Sequence, residues 1–317
     1  MKNQKMIAAG IAGALGAAAG VLAVRTYQRY RRDTSAATQR LLSGSTVAKT
    51  GMGPVEYAVE GSGSPVLVIH GAGGGYDQGL LMARLINNQF QAISVSRFGY
   101  LQTPLPEQAG LDSQADAHAA LLDKLGVEKC AAVGISAGGP SALYFALRHP
   151  ERCSALILLC AVSQAMPLPY DLNMDKLKFL LHFEFAGWLL THPLRPVLLS
   201  MAGVPPEVYK NLTQEERQTV DELVRSILPI TPKLDGILND CRQILGMEDI
   251  PLEEIQTPTL LIHAANDPLV PVTGAQQTAQ RLPNARLVEL PLGGHLLVGN
   301  HRTMIPRVDA FLKDNLA

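Results

Sequence analysis

The stretch Gly134-Ile135-Ser136-Ala137-Gly138 has the residue types and spacing of a nucleophile site. It follows the apolar run Ala131-Ala132-Val133 directly and opens a helical stretch, so it predicts a sharp strand-to-helix turn. Such a turn forces the serine backbone into a strained conformation, flanking glycines relieve the crowding, and the hydroxyl stands exposed. The helix that begins there aims backbone N–H groups and a positive dipole end at the place where an oxyanion would develop. The chemistry this permits is attack by Ser136 on a carbonyl, with its proton removed by a neighbouring base. As a bare pattern the pentapeptide also fits a loop of small residues; the strand before it and the helix after it favour the nucleophile.

From these residues onward the chain resembles the α/β-hydrolase superfamily, over roughly Val55 to the C-terminus. His70-Gly71-Ala72-Gly73-Gly74-Gly75 follows the apolar run Val66 to Ile69 and is similar to that family's His-Gly oxyanion loop. The resemblance implies oxyanion donors at the amides of Ala72 and Ala137, with Gly73 as the alternative to Ala72. A phosphate cradle is the rival reading of a Gly-rich loop, but no Gly-Lys-Ser/Thr follows it. The run Asn266-Asp267-Pro268-Leu269-Val270-Pro271 looks like the family's acid loop and implies Asp267 as the acid. An Asx-turn before Pro268 is its structural alternative. Gly293-Gly294-His295 follows the run Leu287 to Leu290, where the family carries its base, so the resemblance implies a Ser136, Asp267, His295 triad.

The other histidines compete for the same role. His263 sits at a strand end near Asp267 and is the one rival to His295. His70 belongs to the oxyanion loop and is read as orienting backbone; His118, His149 and His301 fall on helices or helix ends, and His182 and His192 on surface positions of an insertion. The implied activity is hydrolysis of an ester or related acyl bond through an acyl-enzyme, with a small to medium hydrophobic molecule as substrate. Metal and organic cofactor are not required. A serine elbow still permits esterase, lipase, thioesterase, amidase, C–C bond hydrolase or peptidase chemistry, because a fold does not choose among them. A ligand-binding protein that retains the hydrolase pocket is the alternative from another functional class.

The elements that must position these residues can be read from the apolar pattern. Short continuous apolar runs recur at Val66–Ile69, Ala92–Val95, Ala131–Val133, Ala155–Leu159, Leu260–Ile262 and Leu287–Leu290. Runs of this kind are buried on both faces of a parallel sheet. Helical stretches at Gln78–Asn87, Ser113–Leu125, Gly138–Arg148 and Val272–Arg281 alternate with them, which predicts a doubly wound, mostly parallel α/β sheet. Ser45 to Glu60 reads as a hairpin broken at Gly51-Met52-Gly53-Pro54. Between about 163 and 250 the alternation stops. Helical periodicity around Leu177–Leu190 and Glu215–Leu228, with Pro167, Pro169, Pro193, Pro196, Pro205 and Pro206 as breakers, predicts a helical cap. Its Phe179, Phe183, Phe185, Trp188 and Leu189 either roof a substrate pocket or pack the insertion itself.

The chain has 317 residues, 47% of them hydrophobic and 17% charged, with a formal net charge of -1. That length suits one large domain with an insertion, here residues 45–317. The near-neutral charge argues against nucleic acid as a partner. The 4 cysteines, Cys130, Cys153, Cys160 and Cys241, show neither a Cys-x-x-Cys pair nor metal-ligand spacing with histidine. Met6 to Val24 is uncharged, follows Lys2 and Lys5, and precedes Arg25, Arg29, Arg31 and Arg32. As a helix it would be about 28 Å long, close to the hydrocarbon thickness of a bilayer. Residues 1–32 are therefore expected to form a single membrane anchor, with a cleaved secretory signal and a secreted or periplasmic product as the alternative. Residues 33–44, rich in Ser and Thr and without a sustained apolar stripe, are expected to be a linker. Oligomeric state leaves no mark in the sequence.

Overall fold

The computed structural model describes residues 2–84, 89–167 and 174–316, and for residues 2–15 and 180 it describes the backbone element alone. Among the described residues, one eight-stranded sheet runs in the order β1-β2-β4-β3-β5-β6-β7-β8. The strands are β1 (Thr46–Thr50), β2 (Gly53–Gly61), β3 (Ser64–Ile69), β4 (Phe90–Val95), β5 (Cys130–Ile135), β6 (Cys153–Leu159), β7 (Thr259–Ala264) and β8 (Ala285–Leu290). The expected hairpin forms, with Thr50 opposite Gly53 across its turn, and β2 continues antiparallel to β4. From β4 to β8 every pairing is parallel.

The helices cover both faces, which is why the central strands are apolar throughout rather than alternating. All six residues of β5 and of β7 are buried. Leu67, Ile69, Ala132, Leu156 and Leu158 point to one face, against α3 (Leu111–Leu125), α4 (Gly139–Arg148) and α11 (Val272–Arg281). Val66, Val68, Val133, Ile157 and Ile262 point to the other, against α12 (His301–Leu316) and the end of α2 (Tyr76–Ala83). That alternation is the strand's period of two turned inward on both sides. The expected end of α2 at Asn87 falls on residues 85–88, outside the described residues.

Between β6 and β7 the chain forms α5 (Met174–Leu181), α6 (Glu184–Thr191), α7 (Arg195–Met201), α8 (Pro206–Asn211), α9 (Gln214–Ser226) and α10 (Leu234–Leu245). Prolines stand in the first turns of α7 and α8, where a missing N–H costs nothing. Thr213 and Glu216 close a capping box on α9. Pro169 lies outside the described residues. Leu199, Val204, Leu212, Val220 and Val224 form a core of the insertion's own, which Val298 joins from the loop after β8.

The amino-terminal helix differs from expectation. Residues 33–44 are not a linker: α1 runs unbroken over Lys2–Ser43. Ala37 and Leu41 are buried, and Tyr30 packs edge-on against Phe185 and Trp188 of α6 at 5.2 and 6.0 Å. The hydroxyls that made this segment resemble a linker are absorbed within the helix. Thr34 donates to the Tyr30 carbonyl, Thr38 to that of Thr34, and Ser43 to that of Gln39. Asp33 accepts the Trp188 indole N–H at 3.2 Å, and Arg40 pairs with Asp77 of α2 at 3.2 Å. The end of α1 thus touches the insertion and the sheet domain together. Trp188 is packing core, whereas Phe179 and Phe183 are largely exposed. Among the described residues no helix is long and apolar enough to cross a membrane. The side chains of residues 6–15, over half of the run expected to be an anchor, lie outside the described residues.

Candidate active site

The chain turns back on itself at β3, whose neighbours are β4 on one side and β5 on the other. Strand order reverses there, and in open α/β sheets the crevice at such a point, beyond the carboxyl ends of the strands, is where ligands bind. Ser136 follows β5 directly and carries a φ of 50°, in the left-handed region that a residue with a Cβ avoids. Its glycines are required by packing. A Cβ on Gly134 would lie 2.6 Å from Ala142 Cβ, and one on Gly138 would lie 2.5 Å from the carbonyl oxygens of Ile69 and His70. The elbow is therefore pressed against the end of β3, with α4 leaving immediately behind it.

His295 and Asp267 arrive from the ends of β8 and β7. Ser136 Oγ lies 2.9 Å from His295 Nε2, and His295 Nδ1 lies 2.8 Å from Asp267 Oδ2. The carboxylate can only accept, so Nδ1 carries the proton and Nε2 is free to accept from the serine. Asp267 also takes the amides of Leu269 and Val270 on Oδ1, at 2.9 and 3.0 Å. Burial by itself would raise its pKa. The hydrogen bonds from His263 and His295, the His295 charge and the Val270 amide outweigh that and hold the carboxyl well below the usual carboxylate range. The histidine loop is shaped by Gly293 and Gly294, both at positive φ. It rests on the insertion, where the His295 amide donates to the Ala202 carbonyl at 2.9 Å.

His263, the rival base, is brought to Asp267 and not to Ser136. Its Nε2–H donates to the Val270 carbonyl at 2.9 Å and lies 3.4 Å from Asp267 Oδ2. Cys160 joins them: the side-chain ligand atoms of Cys160, His263 and Asp267 lie within 4.8 Å of one another, a grouping that could hold a metal ion. The spacing of cysteines and histidines along the chain did not reveal it, because Cys160 comes from the end of β6 and His263 and Asp267 from the end of β7, about a hundred residues later.

The His70–Gly75 loop lies against the elbow. A Cβ on Gly71 would lie 3.0 Å from that of Ser136. Three of its amides are engaged: Gly71 N–H with Gln78 Oε1 at 3.0 Å, Gly73 N–H with Tyr100 Oη at 3.4 Å, and Gly74 N–H with the Gly71 carbonyl at 3.3 Å. This distinguishes Ala72, which is exposed, from Gly73. Ala137, on the other side, is buried in the short turn Ser136–Gly138.

Behind the loop stands a polar network that sequence reasoning missed. His70 donates from Nδ1 to the Gly71 carbonyl at 2.7 Å and accepts the Arg97 amide on Nε2 at 3.1 Å. Burial, with Arg97 nearby, pushes its pKa well down, so the ring is neutral, with both nitrogens on backbone groups. Arg97 makes a two-point ion pair with Asp240 of α10, and Tyr100 Oη donates to Asp240 Oδ2 at 2.6 Å. Burial and the Asp240 charge hold the Tyr100 phenol well above its ordinary pKa and therefore neutral. Arg97 and Tyr100 follow β4 as His70 follows β3, and that position was the available signal. Asp240 carried none, being one acidic residue on an amphipathic helix.

A family model for the alpha/beta hydrolase fold matches residues 64–301. Among curated relatives, the chain is 28% identical to an uncharacterized hydrolase, YcgS, of Bacillus subtilis, over 77% of this chain and 89% of the relative. It is 25% identical to a 2-hydroxymuconate semialdehyde hydrolase of Pseudomonas putida, over 80% of this chain and 89% of that one. Among solved structures, an alpha/beta hydrolase fold protein from Nakamurella multipartita superimposes with a TM-score of 0.71 at 29% identity, covering 85% of this chain and 99% of its own. The matched region takes in Ser136, Asp267 and His295 together, and the chain belongs to the α/β-hydrolase fold family.

Proposed function

We propose that the protein is a serine hydrolase that cleaves a carboxylic ester, or a related acyl bond, of a small to medium hydrophobic substrate. The observation that carries this is the unbroken hydrogen-bonded line from Ser136 Oγ through His295 to Asp267, with links of 2.9 and 2.8 Å. Nε2 of His295 takes the serine proton as Oγ attacks the carbonyl carbon, and Asp267 holds the imidazole tautomer and balances the imidazolium. The negative charge that forms on the carbonyl oxygen is met by the amides of Ala72 and Ala137, worth about 3 kcal/mol for each donor. His295 returns the proton to the departing alkoxide, then removes one from the water that hydrolyses the acyl-enzyme. His263 steadies Asp267, with its Nε2 3.4 Å from Oδ2.

The relatives are hydrolases of differently named substrates, so the acyl class rests on the site alone. A series of p-nitrophenyl esters of increasing chain length, with a thioester and an amide beside them, tests it. Turnover of the esters, lost in Ser136→Ala together with labelling by a fluorophosphonate probe, is the expected result. An active Ser136→Ala variant overturns the assignment.

We infer separately that residues 6–24 attach the chain to a membrane. The support is the uncharged run and its basic flanks, Lys2 and Lys5 before it and Arg25, Arg29, Arg31 and Arg32 after it. Fractionation of full-length protein with a C-terminal tag, followed by N-terminal sequencing, tests this. A soluble product, whether intact or beginning near Gly20 or Val24, overturns it.

A further inference from the structure

Lys233 is fully buried, at the end of the short turn Thr231–Lys233 that leads into α10. Its ammonium donates to two backbone carbonyls, that of Gly73 at 3.2 Å and that of Ser226. Among the described residues no carboxylate forms an ion pair with it. An isolated buried cation costs several kcal/mol, and an apolar side chain of similar length would avoid that cost. Of its two acceptors, Ser226 ends α9 and Gly73 belongs to the loop that lies against Ser136.

Gly73 is held at both ends, by the insertion at its carbonyl and by the loop after β4 at its amide. Its carbonyl takes Lys233, and its amide meets the Tyr100 hydroxyl, which is itself fixed by Asp240 of α10. The residue has a φ of 70°, which glycine adopts without strain but which also leaves its peptide planes free to turn. The Gly73 carbonyl shares a peptide plane with the Gly74 N–H, which donates to the Gly71 carbonyl at 3.3 Å, and the Gly71–Ala72 peptide carries the Ala72 N–H whose direction matters for a developing oxyanion. Further backbone bonds tie the same part of the insertion to the loop after β4. Leu101 N–H donates to the Pro232 carbonyl at 2.7 Å, and Gly236 N–H to the Gly99 carbonyl at 2.9 Å.

We propose that Lys233 is a positioning residue which fixes the Ala72 amide through the Gly73 carbonyl, so that the oxyanion site is complete only when the insertion is seated. The proposal rests on the acyl-transfer reading given above. Around the lysine stand Asp77 on α2, Glu184 on α6 and Glu56 on β2, which favour its charge, and Arg40 on α1, which opposes it. Burial outweighs them and brings the pKa down to about 8. Above that pH the neutral amine keeps weaker hydrogen bonds to the same carbonyls.

The test is kinetic, on whichever p-nitrophenyl ester the wild type hydrolyses fastest. In Lys233→Met, kcat should fall by roughly 10- to 100-fold, less than the full loss of one oxyanion donor, while KM stays within about threefold. A kcat within twofold of wild type, or a loss confined to KM, overturns the proposal. Should the variant not fold, wild-type kcat measured from pH 6.5 to 9.5 decides: a decline through about 8 with a level KM is expected, and a level kcat overturns it. Failure of the underlying reading looks different. A wild type that turns over none of the esters, thioester or amide, or a Ser136→Ala variant that retains activity, removes both.

Discussion

The two ends of the site are built by different means. The proposed proton-transfer end is carried by the sheet: Ser136 and Asp267 lie just past β5 and β7, whose residues are all buried, and His295 past the neighbouring β8. The proposed oxyanion end follows β3, but its loop is held by polar contacts to Arg97 and Tyr100, which Asp240 of the insertion fixes, and to Lys233 of the insertion. A close-packed core resists displacement in every direction. A polar network is rigid only while every member is satisfied. Substitutions of Ser136 and His295 at the first end should remove chemistry and spare the fold, whereas those at the second should affect fold and chemistry together.

The largest effect that would support this contrast is in Ser136→Ala and His295→Ala. Each should lower kcat by about 10⁴-fold or more, with a melting temperature close to wild type. Asp267→Asn should come next, at about 10³- to 10⁴-fold, because the amide holds the wrong imidazole tautomer. His263→Ala should cost less than about tenfold in kcat, since its Nε2 faces Val270 and Asp267 rather than the serine. Comparable losses for His263→Ala and His295→Ala would reverse the two roles.

Asp267 also gives the contrast a pH dependence. Its carboxyl is held well below the usual range in the folded chain, so the unfolded chain binds the proton more readily in acid. The resulting stability is complete above about pH 4, where an unfolded aspartate is ionised, and is lost as pH falls below that value. Melting temperatures from pH 6 down to 3 should fall more steeply for wild type than for Asp267→Asn; parallel curves would show that the carboxylate adds no such term.

At the oxyanion end, Asp240→Ala strands the buried Arg97 guanidinium and should cost about 3–5 kcal/mol, read from urea unfolding, along with activity. A variant of normal stability would break the comparison. The smallest effect is expected from Arg40→Ala. Its pair with Asp77 is half exposed on the arginine side, and such pairs contribute about 1 kcal/mol or less.

Ser136, Asp267 and His295, which the fold brings into one hydrogen-bonded line, could be picked out of the sequence because each lies in a short segment with its own signal. Gly134 to Gly138 carries strand, turn and helix in one reading, and Asn266 to Pro271 and Gly293 to His295 each follow an apolar strand. The engagement of the Gly73 amide, by which it differs from that of Ala72, depends on Tyr100, a partner distant in sequence. Lys233 and Asp240 gave no signal, since a single charge on a helix reads as solvated until tertiary packing buries it. The continuation of α1 was hidden for a related reason. Tyr30, Ala37 and Leu41 form too sparse a stripe to announce a helix, and the aromatic partners of Tyr30 lie on α6, far along the chain.

The seam between α1 and the insertion also contains its own optical reporter. Trp188 is the chain's 1 tryptophan, so intrinsic indole emission comes from a single place. That indole is stacked on Phe185 at 5.6 Å and His192 at 5.0 Å, with its N–H on the Asp33 carboxylate. Release of the helix would expose the ring to water, shifting emission to longer wavelength and opening it to iodide quenching. Local undocking at this seam can thus be followed by fluorescence, without an added dye, separately from unfolding of the sheet.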